Sequence, residues 1–157
     1  MNTKGFLSKV LGIDNSCWYI ADVDINPQDE IVSIKMRYKK PLSFKCDECG
    51  CTTYTHIHDH KERTWRHKDL CEYKTILKAE VPRVCCKDCK RICQVVVPWA
   101  HVFMRITLSF QRQLLDACIK MSLADVQRSY RISWYTLSSI LTRAVAYGRE
   151  SKDISQV

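Results

Sequence analysis

The sequence predicts an α+β chain, in which a β-rich N-terminal part is followed by an all-α part. Three observations support this prediction. Runs rich in β-branched and aromatic residues recur up to position 81, two C-x2-C pairs lie thirty-six residues apart, and the apolar spacing becomes helical after Thr107. The chain has 157 residues, 46% of them hydrophobic, which suffices for one or two small cores.

Residues 1–41 are predicted to form a short helix and a β-hairpin that pack on the following domain. Apolar residues recur at helical spacing between positions 6 and 11, and Gly12 follows as a stop signal. The β-type runs 18–25 and 31–38 flank a turn cluster at 26–29. The second run alternates apolar residues with Lys35, Arg37 and Lys39, which indicates a hairpin with one basic face.

The two C-x2-C pairs indicate a structural zinc site. Each pair can form a tight knuckle that supplies two thiolates, and two knuckles complete a tetrahedron. The predicted ligands to a single Zn²⁺ ion are Cys46, Cys49, Cys86 and Cys89. Gly50 after the first knuckle lets the chain turn back, whereas the second knuckle has Lys90 at that place, a cation beside a centre of net negative charge.

Other arrangements of the cysteines and histidines stay open at this point. A single C-x2-C pair also occurs by chance or as a redox motif, and Cys85 could replace a predicted ligand because its spacing to Cys89 is tolerable. The alternating His56, His58 and His60 lie on one side of a predicted strand and suggest either a second metal site or a solvated face. The remaining cysteines are expected to be small buried residues or residues that do not bind the metal.

Residues 42–100 are predicted to form the zinc-pinned β domain, which is zinc ribbon-like. A strand follows the first knuckle and ends in a turn at 61–63, the run 72–81 forms another strand that leads to Pro82, and a short apolar strand from 94 ends at Pro98. Positions 61–91 hold ten Lys or Arg residues against five Asp or Glu. This charge run is either a solvated face or, with Trp65 and Tyr73 interleaved, a surface for phosphate contacts.

Residues 101–150 are predicted to form a helical domain, with a boundary near 100–106 and a frayed tail at 151–157. The first helix starts at Thr107 or Ser109, the second runs from Leu123 to Ser129 with Ser122 as its cap, and Ser133 caps the third. A three-residue turn at 131–133 completes the helix-turn-helix outline, although a plain three-helix bundle gives the same pattern. Trp134 and Leu137 are expected in the core, and the residues expected to enter the major groove are Tyr135, Thr136, Ser138, Ser139, Thr142 and Arg143.

Charge and targeting signals narrow the function classes. The formal net charge of +8 favours a polyanionic partner. The N-terminus has no secretory signal pattern, and no run approaches eighteen apolar residues, so the sequence predicts no membrane association and a cytoplasmic protein whose reduced thiols are held by metal.

Five segments in this order resemble the N-terminal portion of insertion-sequence transposases of the ISL-three family. They are V-L-G-I-D at 10–14 through R-Y-K-K-P at 37–41, C-D-E-C-G at 46–50, H-D-H-K-E-R-T-W-R-H-K-D-L at 58–70, P-R-V-C-C-K-D-C at 82–89 with V-P-W-A at 97–100, and I-S-W-Y-T-L at 132–137. The W-R-H-x-D-L block between two knuckles is specific, and the resemblance covers nearly the whole chain.

The resemblance implies a zinc-binding domain and a helix-turn-helix domain that together bind double-stranded DNA at the terminal inverted repeats of a mobile element. Strand chemistry in such families belongs to a later RNase H-like domain with three metal-binding carboxylates. No such triad is evident here, so the expectation is a DNA-binding region that is not an enzyme, either a fragment or a truncated product. In a bacterium or archaeon it would associate with the nucleoid, and it could pair with itself or with full-length transposase.

The residues expected to contact DNA in the zinc domain fall into two groups. Trp65, Arg66, His67 and Lys68 are expected either to touch DNA or to brace the zinc fold, whereas Arg63, Lys74 and Lys78 are expected to contact phosphates.

Two departures from the family pattern stand out. Arg131 replaces a glycine in the turn and implies a left-handed residue that costs about 1 kcal/mol, and Lys90 replaces the glycine after the second knuckle. The rival functions are a stand-alone regulator or inhibitor derived from a transposase, and a zinc ribbon that binds RNA or protein.

Overall fold

The structure is a computed structural model that describes residues 3–13, 17–40, 43–46, 48–54 and 56–154. The described part contains four helices and seven strands. In chain order they are α1 (Thr3–Val10), β1 (Trp18–Asn26), β2 (Ile31–Tyr38), β3 (Ser43–Lys45), β4 (Thr52–Tyr54), β5 (Ile57–Arg66), β6 (Lys74–Cys85), β7 (Ile92–Gln94), α2 (Leu108–Lys120), α3 (Leu123–Tyr130) and α4 (Trp134–Ile154). None of these helices combines the length and hydropathy needed to cross a bilayer. The α+β class predicted from the sequence is confirmed.

The chain divides into two compact units, residues 1–109 and 110–157. The sequence predicts a boundary near 100–106 and a further division between residues 1–41 and 42–100. In the structure β1 and β2 belong to the same sheet as β5, β6 and β7. The domain limits remain predictions, and the shared sheet joins the first two predicted segments through backbone hydrogen bonds.

The first unit is built around β6, the longest strand described. Along one edge β6 pairs antiparallel with β5. Along the other edge it pairs first with β2, in parallel, and then with the short β7. The hairpin of β1 and β2, which the sequence predicted, completes the sheet. β3 and β4 form a separate two-stranded hairpin. The central position of β6 explains why its alternate residues, including Leu77 and Val81, are fully buried.

Three tryptophans fill the core on the inner face of the sheet. Trp99 makes edge-to-face contacts with Trp18 and Trp65, with ring centroids 5.0 and 5.4 Å apart. All three are buried among aliphatic residues of β2 and β6. Leu11 and Ile13, which follow α1, join the same cluster. Gly12 between them has a φ of 66°, which agrees with its predicted role as a helix stop.

Two strand predictions are wrong. β5 runs without interruption through 61–63, where the sequence predicted a turn, because each of these residues pairs with β6. The predicted apolar strand from 94 is instead β7 at Ile92–Gln94, and the buried Val95 and Val97 that follow are not in a strand. β6 also continues past Pro82 to Cys85. Proline lacks an N–H, but its carbonyl still accepts a bond from Val95.

The second unit contains most of α2 and all of α3 and α4. Its buried apolar residues are Phe110, Leu114, Ala117, Val126, Leu137 and Ile140. They recur at helical spacing on α2 and α4, as the sequence predicted for the first and third helices, and α3 contributes Val126. Trp134, which was expected in the core beside Leu137, is 53% exposed, so that expectation is wrong. α4 extends through 151–154, which were predicted to fray, and 155–157 lie outside the described residues.

Candidate metal centre and nucleic-acid interface

The two C-x2-C segments fold into knuckles with the same backbone pattern. In the first, the N–H of Gly50 donates to the carbonyl of Cys46 (3.0 Å) and Cys46 N–H donates to Cys51 (2.8 Å). In the second, Lys90 donates to Cys86 (3.1 Å) and Cys86 donates to Arg91 (2.9 Å). Each knuckle joins an antiparallel pair, β3 with β4 and β6 with β7. The two cysteine pairs are therefore presented by equivalent hairpin ends.

The positions after the second cysteine of each knuckle are both left-handed. Gly50 has a φ of 71° and Lys90 a φ of 58°. A side chain with a Cβ at such a φ costs about 1 kcal/mol, so Lys90 holds its turn under strain that Gly50 avoids. The sequence departure at Lys90 leaves the backbone geometry of the knuckle intact.

The structure brings together the four cysteines predicted as metal ligands. The Sγ atoms of Cys46, Cys49, Cys86 and Cys89 all lie within 4.8 Å of one another. Cys46 and Cys89 are 3.9 Å apart, and Cys49 and Cys86 are 3.5 Å apart. Sulfurs bound to one tetrahedral zinc ion at about 2.3 Å lie about 3.8 Å from each other. Donor type, donor number and spacing fit a closed, four-thiolate zinc centre.

Electrostatics within the cluster favour a divalent cation. Hydrogen bonds from the Cys51 thiol and the Cys89 backbone N–H lower the pKa of Cys86 to about 6. The Arg91 backbone N–H lowers the pKa of Cys89, but burial and the neighbouring cysteines raise it to about 11. An ionised Cys86 thiol thus makes it harder for the neighbouring Cys89 thiol to lose its proton. A bound Zn²⁺ ion removes this repulsion and allows all four to ionise.

Two further cysteines lie against the cluster and were not singled out from the sequence. Cys51 Sγ is 3.1 Å from Cys49 and 3.0 Å from Cys86, and Cys93 Sγ is 3.5 Å from Cys46. The position of Cys51, just after Cys49-Gly50, was the available sequence signal. Cys85, the alternative ligand that the sequence leaves open, is exposed, and its thiol faces backbone carbonyls instead of the cluster.

Among the described side chains, the groups able to hold a metal ion are the four-cysteine group and a set formed by Cys49, Cys51 and Asp88. The histidines at 56, 58 and 60 form no such group in this part of the chain. His60 Nε2 instead makes a 2.7 Å hydrogen bond with the hydroxyl of Tyr38. This arrangement favours the solvated-face alternative for these histidines.

The W-R-H block is largely internal. Trp65 belongs to the tryptophan cluster, and His67 is fully buried with Nδ1 2.8 Å from Thr107 Oγ1. Burial lowers the pKa of His67 to about 4, so the ring is neutral at physiological pH. Contact of Trp65 or His67 with DNA does not fit this structure, since neither presents a surface. The bracing role fits instead, because His67 fixes the segment that enters α2.

Arg66 and Lys68 flank this internal pair. The side chain of Arg66 is only 10% exposed, and its guanidinium group forms an ion pair with Asp69 and donates to the His67 carbonyl. Arg66 therefore shapes the turn after β5. Lys68 is half-buried.

The residues expected to contact phosphates lie on opposite faces of the sheet. Lys78 is exposed on the outer face of β6. Its paired neighbours on the same face are Lys35 of β2 and Thr64 of β5. Lys74 shares that face four residues earlier on β6. Arg63 pairs with Ala79 and so points to the inner face, at the edge of the core. The sequence could not show this, because the predicted turn at 61–63 hid the register of β5.

The helical unit contains two capped helices around a tight turn. Ser122 Oγ accepts from Asp125 N–H (3.2 Å) and caps α3, and Ser133 Oγ accepts from Thr136 N–H (3.2 Å) at the start of α4. Arg131 ends α3 with φ 51° and ψ 49°, and its N–H bonds to the carbonyl of Gln127. The left-handed arginine predicted from the sequence is thus present.

The candidate base-reading residues occupy the first half of α4. Tyr135 is 81% exposed, and Thr142 and Arg143 are exposed as well. Ser139 lies on the same helix face, but its hydroxyl donates to the Tyr135 carbonyl (3.0 Å). Thr136 and Ser138 are half-buried, and Thr136 also bonds the hydroxyl of Ser133.

Comparison with known proteins gives two findings. Residues 43–89 match the family described as the zinc-finger of transposase IS204/IS1001/IS1096/IS1165. The chain is also 27% identical over 141 residues to the transposases for insertion sequence element IS1557 from two strains of Mycobacterium tuberculosis, CDC 1551 and H37Rv. That alignment covers 87% of this chain and 31% of each relative. No solved structure matches.

The matched segment contains both knuckles and the strands between them. The resemblance to insertion-sequence transposases drawn from the sequence is confirmed, and the match supports zinc as the metal of the four-cysteine site. The chain spans about a third of the length of the relatives that it matches.

Proposed function

We propose that this chain is a sequence-specific DNA-binding region of an insertion-sequence transposase, which recognises the terminal inverted repeats of its mobile element. The observation that carries the proposal is the arrangement of α3, the turn at Arg131 and α4 as two capped helices with an exposed polar face at the start of the second. Together with the similarity to transposases, this arrangement favours a helix-turn-helix over a plain helical bundle.

The reading face of α4 consists of Tyr135, Ser139, Thr142 and Arg143. These residues are spaced by four, seven and eight positions and so share one side of the helix, away from the buried Leu137 and Ile140. Arg143 can donate two hydrogen bonds to a guanine, and Tyr135 and Thr142 can contact base edges or phosphates. We assign Thr136 and Ser138 to positioning the helix, because these half-buried residues adjoin the buried Leu137, whereas Ser139, also half-buried, lies one turn from both Tyr135 and Arg143.

One structural zinc ion, held by Cys46, Cys49, Cys86 and Cys89, joins two hairpin ends that are far apart in sequence. The ion has no open position in a four-thiolate site, so its contribution is folding energy and not catalysis. The outer basic face with Lys35, Lys74 and Lys78 then contributes phosphate contacts. We assign DNA binding without strand cleavage to these residues. The protein would act beside the chromosome in the cytoplasm of a bacterium or archaeon.

Two substitutions separate base reading from phosphate binding. Arg143→Ala is expected to reduce discrimination between a preferred duplex and a scrambled one, by roughly five- to a hundredfold for a lost bidentate contact. Lys78→Ala is expected to weaken binding to both duplexes alike and to lower the salt slope by about one unit. Arg149→Ala, which removes a charge from the same helix two turns C-terminal of Thr142, beyond the last residue of the reading face, is the control.

If Arg143→Ala and Arg149→Ala change discrimination equally, α4 is not the reading helix. If wild-type protein binds no duplex at all, the proposed function is wrong.

Exposed apolar side chains favour a second function, which is association with another copy of the transposase. Ile119 of α2 is 83% exposed and Val145 of α4 is 53% exposed. Sedimentation of wild-type protein beside Val145→Ser tests it: a dimer that dissociates in the variant supports association, and a monomer in both excludes it at the concentrations used.

A further inference from the structure

A small cavity lies on the inner side of the sheet, along β5. Its volume is about 110 Å³, enough for several water-sized groups. Arg63 and Trp65 of β5 form one wall, Gln94 and the residues after β7 form another, and the loop 100–105 forms the third. We name this cavity the arginine pocket, after Arg63 and Arg105.

The charges around the arginine pocket are positive. Burial lowers the pKa of Arg63, and the neighbouring guanidinium groups of Arg105 and Arg83 lower it further. Arg83 forms a bidentate pair with Asp59, which offsets its charge. Arg63 and Arg105 have no carboxylate partner among the described side chains, and the Nε of Arg63 donates to the amide oxygen of Gln94 (3.0 Å). Two cations held together in this way favour an anion between them.

An exposed aromatic ring, that of Phe103, lies at the rim of the arginine pocket. Phe103 is 95% exposed and has a φ of 65°, a conformation that bulky residues rarely adopt. The loop around it is fixed, since Met104 N–H donates to the His101 carbonyl (3.1 Å) and the Arg105 carbonyl accepts from Arg66 N–H (2.8 Å). A bulky residue held at a left-handed φ in a hydrogen-bonded loop is typical of a binding surface.

We propose that the arginine pocket binds one phosphate of the DNA backbone through Arg63 and Arg105, with Phe103 packed against the adjacent nucleotide. Guanidinium groups bind phosphate oxygens in pairs, and the exposed ring packs on the sugar beside the bound phosphate. β5 is the strand on the far side of β6 from β1 and β2, so a duplex can approach the pocket past that strand. This inference rests on the proposed DNA-binding function and adds a contact on the inner side of the sheet, opposite Lys78.

The salt dependence of duplex binding tests the phosphate contact. A contact to one phosphate contributes about 0.9 to the slope of log K against log salt. Because both arginines share that phosphate, the double variant Arg63→Gln/Arg105→Gln is expected to lower the slope by about 0.9, half of what two separate phosphates would give. Lys9→Gln on α1, which removes one exposed positive charge outside the pocket, is the control for the effect of charge alone. Zinc content and thermal unfolding establish that each variant is folded.

Phe103→Gly tests the ring separately from the charges. Glycine adopts a φ of 65° without strain, so the variant is expected to unfold at the same temperature as wild type or higher. Its affinity for duplex DNA is nevertheless expected to fall about tenfold, the scale of losing the burial of one apolar side chain. A ring with a purely structural role would give the opposite pattern, with lower stability and unchanged affinity.

The outcomes separate this inference from the proposed function. If wild type binds duplex DNA and the double arginine variant matches Lys9→Gln in slope and affinity, the pocket assignment is overturned and DNA binding stands. If the double variant lowers the slope by about 1.8, the arginines contact two phosphates and the shared site is wrong. If wild type binds no duplex, both are overturned.

Discussion

Replacing Lys90 with glycine is expected to stabilise the zinc-bound N-terminal unit. Lys90 occupies the same backbone position as Gly50 in the other knuckle, with a φ of 58° against 71° and an equivalent hydrogen bond to the first cysteine. Removing its Cβ relieves about 1 kcal/mol of left-handed strain. Removing its charge weakens attraction to the thiolates, but the side chain is exposed, so this loss is about 0.5 kcal/mol or less.

The two effects can be measured separately. Lys90→Ala removes the charge and keeps the Cβ, whereas Lys90→Gly removes both. The free energy of unfolding in urea, with zinc and a thiol reductant present, is therefore expected to be about 1 kcal/mol greater for the glycine variant than for the alanine variant. Since folding and metal binding are coupled, zinc affinity measured against a competing chelator should rise about fivefold in the same comparison.

Gly50→Ala is the matched test in the other knuckle. It introduces a Cβ at a φ of 71° and is expected to destabilise the unit by about 1 kcal/mol. Equal stability of the glycine and alanine variants at position 90 would refute the strain argument, and so would a Gly50→Ala protein as stable as wild type.

Two further predictions concern the metal centre and the buried histidine. Cys46→Ser is expected to abolish stoichiometric zinc binding and to unfold the N-terminal unit, whereas Cys51→Ser should retain one zinc per chain by metal analysis because Cys51 lies outside the four-thiolate set. His67 is neutral when folded, with a pKa of about 4 against 6.5 when unfolded, so its stabilising contribution is present above pH 6.5 and is lost progressively as the pH falls towards 4. That loss amounts to about 3 kcal/mol. Between these two pH values, the free energy of unfolding should therefore fall less for His67→Gln than for wild type. Identical pH profiles of the two proteins would contradict this role of His67.

The sequence predicted the α+β class and the four-cysteine cluster because both depend on local signals. A C-x2-C pair fixes the loop that contains it, and β-type alternation fixed the hairpin of β1 and β2. The left-handed Arg131 and the caps at Ser122 and Ser133 were predictable for the same reason.

What the sequence could not predict depends on long-range register. The parallel pairing of β2 with β6 has no local signature, and the charged run at 61–63 resembles a turn although it lies within β5. Because a strand alternates its faces, that error concealed the placement of Arg63 on the inner side of the sheet. The burial of His67 likewise depends on Thr107, forty residues away.

We propose that this chain, with its zinc ion bound, reads a DNA sequence. The most direct test is selection of a preferred duplex from a random pool by the zinc-loaded protein, followed by measurement of its affinity beside a scrambled duplex of equal length at two salt concentrations. A ratio above roughly a thousandfold, with the selected sequence found at the ends of the mobile element, is the predicted result. Equal and steeply salt-dependent binding to both duplexes would contradict the claim, because it would show phosphate attraction without a reading helix.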